Sequence, residues 1–339
     1  MKAHLAPPLV GAALSLACAS LASVVCIGAF GASAAAQTAA GASGYPARPI
    51  RMIVPFPPGG SNDILARFIA QRMSERMGRQ TLVDNRAGAD GIIGTEIAAN
   101  APADGYTLLV VSTTYTMNPA IHKLTYDALK SLMPVAQIAS GGNVIAGYPG
   151  FSAKSVADLV ALAKAKPGEL RYATSGIGGF NHFGGELFNH LAKVKLDHIP
   201  FKGGGPSMID VIAGRVEVVF STLIQAMPHI RTGKLIALGV GSATRSPLLP
   251  NVATISETVP GYDGSVWWGV LAPTGVPAPI VSKLNGEINA ILREPEMVKR
   301  LAAEAAEPVI GAPEDFGKLI VNDLAKWSRI AKEAGIRAE

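Results

Sequence analysis

Four glycine-bearing loops hold the residues best suited to chemistry: residues 57–63 (Pro57-Pro58-Gly59-Gly60-Ser61-Asn62-Asp63), 86–94, 175–182 and 203–206. Each follows a strand-like run and precedes a helix-like one. Its free N–H groups therefore belong to a helix N-terminus, where the dipole favours an anion. Glycine lets backbone approach a ligand closely, and Ser61 and Ser175 add hydroxyls that donate to a ligand or cap their helices. One such loop is usually only a tight turn. Four of them, fed from two parts of the chain, point to one ligand held beyond the C-terminal ends of strands. A nucleotide is the rival ligand, but Gly88-Ala89-Asp90-Gly91-Ile92-Ile93-Gly94 lacks the Gly-x-Gly start of a dinucleotide fingerprint, and no Gly-x-x-x-x-Gly-Lys-Ser/Thr loop occurs.

Enzyme chemistry is thin by comparison. The sequence has no Gly-x-Ser-x-Gly turn, no His-Glu-x-x-His and no His/Asp/Glu cluster at metal-ligand spacing, so neither a metal nor a cofactor is expected. His182 follows a glycine loop and is the one candidate base, which would make the protein a secreted hydrolase acting with a nearby serine. The competing role for His182, as for His190 and His198, is structural hydrogen bonding. Asp63 supports a helix N-terminus. Trp267 and Trp268 read first as packing between lobes and second as ligand contacts.

The length of 339 residues suggests two lobes, and 49% hydrophobic against 16% charged residues excludes disorder. The net charge of +5 is scattered rather than gathered into a basic stripe, which argues against nucleic acid as a partner. Residues 1–36 read as an export signal: Lys2 is the charged end, Leu9 to Phe30 the apolar stretch and Ala34-Ala35-Ala36 the cleavage site. The alternative is a permanent anchor, since 22 uncharged residues can just span a bilayer. Cleavage is favoured by the Ala/Gly/Ser-rich spacer that follows. Cys18 and Cys26 both fall in the leader, so the mature chain is expected to carry no disulfide or thiolate and to be a soluble, exported monomer.

Strand and helix signals alternate in the remainder. Strands are expected at 50–56, 81–83, 107–111, 170–174, 196–201, 216–220 and 235–240, with helices after the loops and a helical tail from Pro277 to Ala334. Repeated strand–loop–helix order implies an α/β protein with mainly parallel sheets. The tail cannot form a sheet of its own and should pack back on the first lobe. The expected division is lobe 1 at 45–141 and 268–339 and lobe 2 at 142–267, with chain crossings near Ser140 to Val144 and Gly264 to Trp268.

These segments, in order, resemble the Bug-type extracytoplasmic solute receptors of tripartite tricarboxylate transporters. The resemblance rests on Ile53-Val54-Pro55-Phe56-Pro57-Pro58-Gly59-Gly60-Ser61-Asn62-Asp63, Asn85-Arg86-Ala87-Gly88-Ala89-Asp90-Gly91 and Asp104-Gly105-Tyr106-Thr107-Leu108-Leu109. It continues through Gly184-Gly185-Glu186-Leu187-Phe188, Phe201-Lys202-Gly203-Gly204-Gly205-Pro206, Pro228-His229-Ile230-Arg231-Thr232-Gly233-Lys234-Leu235 and Leu271-Ala272-Pro273. It implies a two-lobe periplasmic binding protein of type II-like fold, with a ligand cleft between lobes, that hands a small carboxylate to integral membrane transporter subunits. It also implies that backbone amides and hydroxyls hold the carboxylate, here Gly59, Gly60 and Ser61 with Ser175, Gly176 and Gly178.

Two departures bear on the ligand. Gly176-Ile177-Gly178-Gly179 stands where the family often has Gly-x-Gly-Ser, and Phe220-Ser221-Thr222 where it often has Phe-Asp-Asn. The far end of the ligand is then expected to meet the neutral Ser112, Thr113, Thr114, Ser221 and Thr222. With no acid there to balance an ammonium, a plain carboxylate is favoured over an amino acid. A receptor presenting its closed form to a sensor would need the same cleft.

Overall fold

The computed structural model describes Ala3 and residues 44–337; the rest of the expected leader and both cysteines lie outside the described residues. The first unit of the fold is β1 (Ile50–Val54), buried at four of its five positions, which turns through Pro57-Pro58 into α1 (Ser61–Met77). It is followed by β2 (Thr81–Asn85), α2 (Ile92–Ala99), β3 (Thr107–Ser112) and α3 (Thr114–Ile121). β1 pairs in parallel with both β2 and β3, Met52 standing opposite Val83 and Leu108. Near-continuous apolar strands such as β3 fit a sheet covered on both faces.

A 16-residue strand, β4 (Leu132–Gly147), then leads into α4 (Val156–Ala165), β5 (Arg171–Thr174) and α5 (Phe180–Ala192). Next come β6 (Asp197–Pro200), α6 (Gly204–Ile212), β7 (Val218–Thr222), α7 (Leu223–Arg231), β8 (Ile236–Val240) and α8 (Ile255–Thr258). The chain ends with β9 (Ser265–Pro273), α9 (Ala278–Leu292), α10 (Pro295–Ala303), β10 (Ala306–Pro308) and α11 (Pro313–Ala334). Strand order is β2-β1-β3-β9-β4-β7-β5-β6, with β8 and β10 also paired to β4. Pairing is parallel in the outer strands, where helical crossovers return the chain, and antiparallel wherever β4 or β9 takes part.

β4 organises this arrangement by serving two half-sheets. Its residues Leu132 to Gly142 pair with β9, and Asn143 to Gly147 pair with β7. At the changeover Asn143 N–H donates to Gly264 O (2.9 Å), Gly241 N–H to Asn143 O (2.8 Å) and Gly264 N–H to Gly241 O (2.9 Å). The Asn143 side chain is fully buried and donates to Tyr262 Oη at 2.6 Å. A Cβ on Gly241 would lie 1.6 Å from Asn143 Oδ1, so glycine is the residue that lets three segments meet here.

Each half-sheet has its own core. Ile53, Leu109, Trp267 and Phe316 pack in the first, and Tyr172, Phe188 and Phe220 on one face of the second with Val144, Met208 and Val219 on the other. α9 lies against α1, where Arg72 bonds Glu294 (2.7 Å) and Arg76 bonds Glu287 (2.8 Å). α11 lies on α3 and β4 but also reaches α5, where Trp327 meets Phe183 edge-on at 5.8 Å. The tail thus covers the first half-sheet and touches a helix of the second. Both tryptophans of β9 are buried, as expected of core packing.

Candidate functional site

The C-terminal ends of β1, β3, β5, β6 and β7 feed the N-termini of α1, α3, α5, α6 and α7, and all five N-termini line one cavity of about 50 Å3. They contribute Gly60, Ser61 and Asn62; Thr114; Phe180 and Asn181; Gly203 and Gly204; and Thr222 and Gln225, joined by Ser112 and Ser175. Each N-terminus carries unsatisfied N–H groups and roughly half a positive charge. No charged side chain lines the cavity.

The hydroxyls are oriented by their neighbours. Ser61 Oγ accepts from Trp268 Nε1 (3.2 Å), Thr114 Oγ1 from Phe180 N–H (3.1 Å) and Ser175 Oγ from Asn181 Nδ2 (3.3 Å). Because each oxygen already accepts, its own O–H remains to be donated. The site is therefore rich in donors without being cationic, which suits a carboxylate acceptor. Two of its polar atoms, Asn181 Oδ1 and Thr222 Oγ1, are buried without a partner.

The first loop is held by Asp63, whose carboxylate accepts from Gly59 N–H (2.9 Å), Asn85 Nδ2 (3.0 Å) and Arg67 (3.0 Å). Burial would raise its pKa, but the bonds from Arg67, Gly59 and Asn85 outweigh burial and hold it below the usual carboxylate value. The second loop is held by His182, whose Nδ1 accepts Gly178 N–H at 3.0 Å while its ring stacks on His198 at 4.2 Å. Burial lowers His182 to about 4, and burial together with His182 lowers His198 to about 3, so both are neutral at pH 7.

A chamber of about 680 Å3 adjoins the cavity, sharing Phe56, Pro57, Ser175 and Gly203 with it and adding Gly176, Asp90, His122 and Lys202. Asp90 has a left-handed backbone (φ 52°) and aims its carboxyl at the loop from the other half-sheet. Gly179 has an ordinary φ of −79°, yet a Cβ there would lie 2.8 Å from Asp90 Oδ2. Its lack of a side chain thus makes room for Asp90, whose buried Oδ2 has no partner and whose pKa burial raises to about 7.

Of the residues expected from sequence, Gly60, Ser61, Ser112, Thr114, Ser175 and Thr222 meet on the cavity, and Gly176 lies along the chamber. Four do not face the cavity. The Gly59 amide is taken by Asp63 and the Gly178 amide by His182. Thr113 Oγ1 accepts from Trp267 N–H (3.0 Å), and Ser221, only 1% exposed, sits behind Gln225 with its Oγ 3.5 Å from Gln225 Oε1. Alternation along β7 turns Ser221 away while Thr222 faces the cavity, and Thr113, past the end of β3 in a helical conformation, points toward β9 instead. Asn62, Phe180, Asn181 and Gln225 were not anticipated. Gln225 lies three residues after the N-cap Thr222, a signal readable only once α7 is known to begin at Leu223. His182, the candidate base of the hydrolase alternative, accepts Gly178 N–H through Nδ1, and no hydrogen bond joins it to a serine among the described residues.

Residues 65–336 match the family described as tripartite tricarboxylate transporter family receptor. Protein BugT of Bordetella pertussis is 36% identical over 292 residues, covering 85% of this chain and 90% of BugT. A solved structure of Rpa4515 from R. palustris with adipate has a TM-score of 0.84 at 35% identity, covering 86% of this chain and 99% of that one. The periplasmic binding protein BugD has a TM-score of 0.83 at 30% identity, covering 87% and 100%. Two half-sheets joined through β4 and β9, with loops of both meeting over one cavity, are the two-lobe α/β architecture of those proteins, and the chain belongs to the tripartite tricarboxylate transporter receptor family, whose members are periplasmic solute-binding receptors.

Proposed function

We propose that this protein captures a small carboxylate between its two lobes in the periplasm and delivers it to integral membrane transporter subunits. The observation that carries the reading is the convergence of five helix N-termini on a cavity whose lining holds no charged side chain. Preorganised N–H and O–H donors bind an anion without the desolvation cost of a buried cation. The adipate in the related Rpa4515 structure supports a carboxylate. Gly60, Ser61, Ser112, Thr114, Ser175 and Thr222 hold the ligand, with Gly176 along the adjoining chamber.

The lobes are residues 45–142 with 265–339, and residues 143–264, a few residues from the division expected from sequence, so that Gly142 and Ser265 to Trp267 stay with the β4–β9 pairing of the first half-sheet. The bond from Phe180 N–H to Thr114 Oγ1, and Gly203 seated against Pro57, are contacts that closure makes. A ligand touching both lobes shifts the population toward this form, which docks on the membrane partner. Residues 1–36 direct export and are removed. The mature receptor acts as a monomer without cofactor or catalysis, and His182 serves to hold the Gly178 amide.

A thermal-shift screen of carboxylates, amino acids and sugars tests this. At one hundred times Kd a ligand adds about 2.7 kcal/mol, an upward shift of roughly 4 °C for a chain of this length. Carboxylates should produce it and remain unconsumed. Stabilisation by sugars or amines alone, or turnover of the added compound, would contradict the reading.

A further inference from the structure

Two titratable side chains of the first lobe press on the loop from Gly176 to Gly179 in the second. A Cβ on Gly178 would lie 2.8 Å from His122 Nε2 and 3.6 Å from Asp90 Oδ2, and one on Gly179 would lie 2.8 Å from the same Oδ2. Both polar atoms are buried, and neither has a hydrogen-bond partner. Their placement is fixed from the first lobe. Asp90 has a left-handed backbone at φ 52°, uncommon for a residue with a side chain, and Asn118 Nδ2 of α3 donates to its carbonyl at 3.2 Å. His122 is the C-cap of the same helix. The loop they meet follows Ser175 and leads into α5, so its seating completes the small cavity.

With the lobes apart, water reaches both groups, and near neutral pH they are an aspartate beside a partly protonated imidazole. Closure removes that water and gives neither atom a partner in exchange, so a charge left on either is opposed by its desolvation. Burial accordingly raises Asp90 to about 7 and lowers His122 below 6.5. The surrounding groups do not compensate. Arg86 on Asp90's own loop bonds Asp84 at 3.1 Å, and burial keeps Tyr115 and Tyr126 protonated and His182 neutral. Lys202 is the one cation lining the chamber, and burial alone accounts for the Asp90 shift. Resting on the carboxylate reading above, we propose that Asp90 and His122 are positioning residues that tie ligand capture to protonation: the second-lobe loop seats over the neutral pair, Asp90 taking up a proton on closure and His122 giving one up. The two act with opposite sign. Asp90 favours closure fully below about pH 4 and loses that contribution as pH rises to about 7. His122 opposes closure increasingly as pH falls through 6.5. Each offsets the other, so removing one exposes the other.

The test is calorimetric titration of the protein purified after export with propionate, benzoate, succinate and adipate, from pH 5.5 to pH 7.5. The double variant Asp90→Asn/His122→Gln carries neither group and fixes the pH profile that the probes themselves impose. Against that baseline, affinity in His122→Gln should rise at least fivefold as pH falls across the range, because Asp90 alone remains. In Asp90→Asn it should fall at least twofold, because His122 alone remains. Wild-type protein should lie between the two. If a variant does not fold, wild-type protein titrated at pH 7 in two buffers of different ionisation enthalpy keeps the test, and capture should take up at least about 0.2 proton there. Superimposable pH profiles in all four proteins overturn the inference and leave the carboxylate reading in place. So does capture at pH 7 without proton uptake, and so does an Asp90→Asn variant at least tenfold weaker at every pH, which would make the carboxylate a fixed charged partner. Failure of all four probes to bind overturns the carboxylate reading and this inference with it.

Discussion

Asp63 bonds Gly59 N–H, Asn85 and Arg67 at once, so the geometry of the first ligand loop depends on one carboxylate with a side chain only 5% exposed. Asp63→Ala should cost about 1–3 kcal/mol by leaving those donors unpaired, and should weaken carboxylate binding at least fivefold; chemical denaturation and titration measure the two effects. Asp90 behaves oppositely. Its pKa is about 7 in the fold against 3.8 for the free side chain, so its contribution is intact below about pH 4, declines as pH rises and levels off above about 7. Asp90→Asn should therefore raise Tm by at least about 2 °C at pH 8 and leave it unchanged at pH 4. A variant no more stable at pH 8 would show that the carboxyl is relieved there. The sequence disclosed the donor-rich character of the site, because serine, threonine and glycine cluster where strands end. It did not disclose which hydroxyls face inward: Ser112 and Thr114 do, Thr113 does not, and that is set by where β3 ends and the helix begins.

At the scale of elements, the strand–loop–helix units were legible because apolar periodicity and glycine turns agree along β1, β3, β5 and β7. β4 was not, since Gly141 and Gly142 sit mid-strand and read as a turn. α3 was hidden by Pro119 and its polar first turn, which made Thr114 look like the end of a strand. β9 and β10 were missed as well, and like β4 they are strands whose tertiary pairing overrides local preference. The crossing of β4 tolerates no added volume, so Gly241→Ala should destabilise by about 1–3 kcal/mol, read from the denaturation midpoint; a neutral result would mean Asn143 can turn aside. The first turn of α7 is where an added charge would matter. Gln225→Glu should weaken carboxylate binding at least tenfold by opposing the ligand charge, whereas Ser221→Asp places its acid behind the cavity wall. Undiminished affinity in a folded Gln225→Glu variant would move the anion elsewhere.

For the whole molecule, the division into two half-sheets was anticipated from chain length and the order of elements, while the reach of α11 to α5 was not, since an amphipathic tail does not say which neighbours it spans. Closure is the motion that the proposed function requires, and Gly178 stands where the loops of the two half-sheets meet. It has φ 86°, and a Cβ there would lie 2.6 Å from Ile121 Cδ1 and 2.8 Å from His122 Nε2. Gly178→Val should therefore hold the lobes apart: small-angle scattering should find that ligand contracts the wild-type protein and leaves the variant extended. Equal contraction of both would remove this loop from the closing surface.

The convergence of helix N-termini is tested most directly by a crystal structure of the receptor with a bound carboxylate. The account predicts its oxygens within hydrogen-bonding distance of the α1 N-terminal amides and of the Ser61, Thr114 and Ser175 hydroxyls, with no cationic side chain in contact. A carboxylate paired instead with Lys202 in the larger chamber, with the small cavity holding only water, would contradict it.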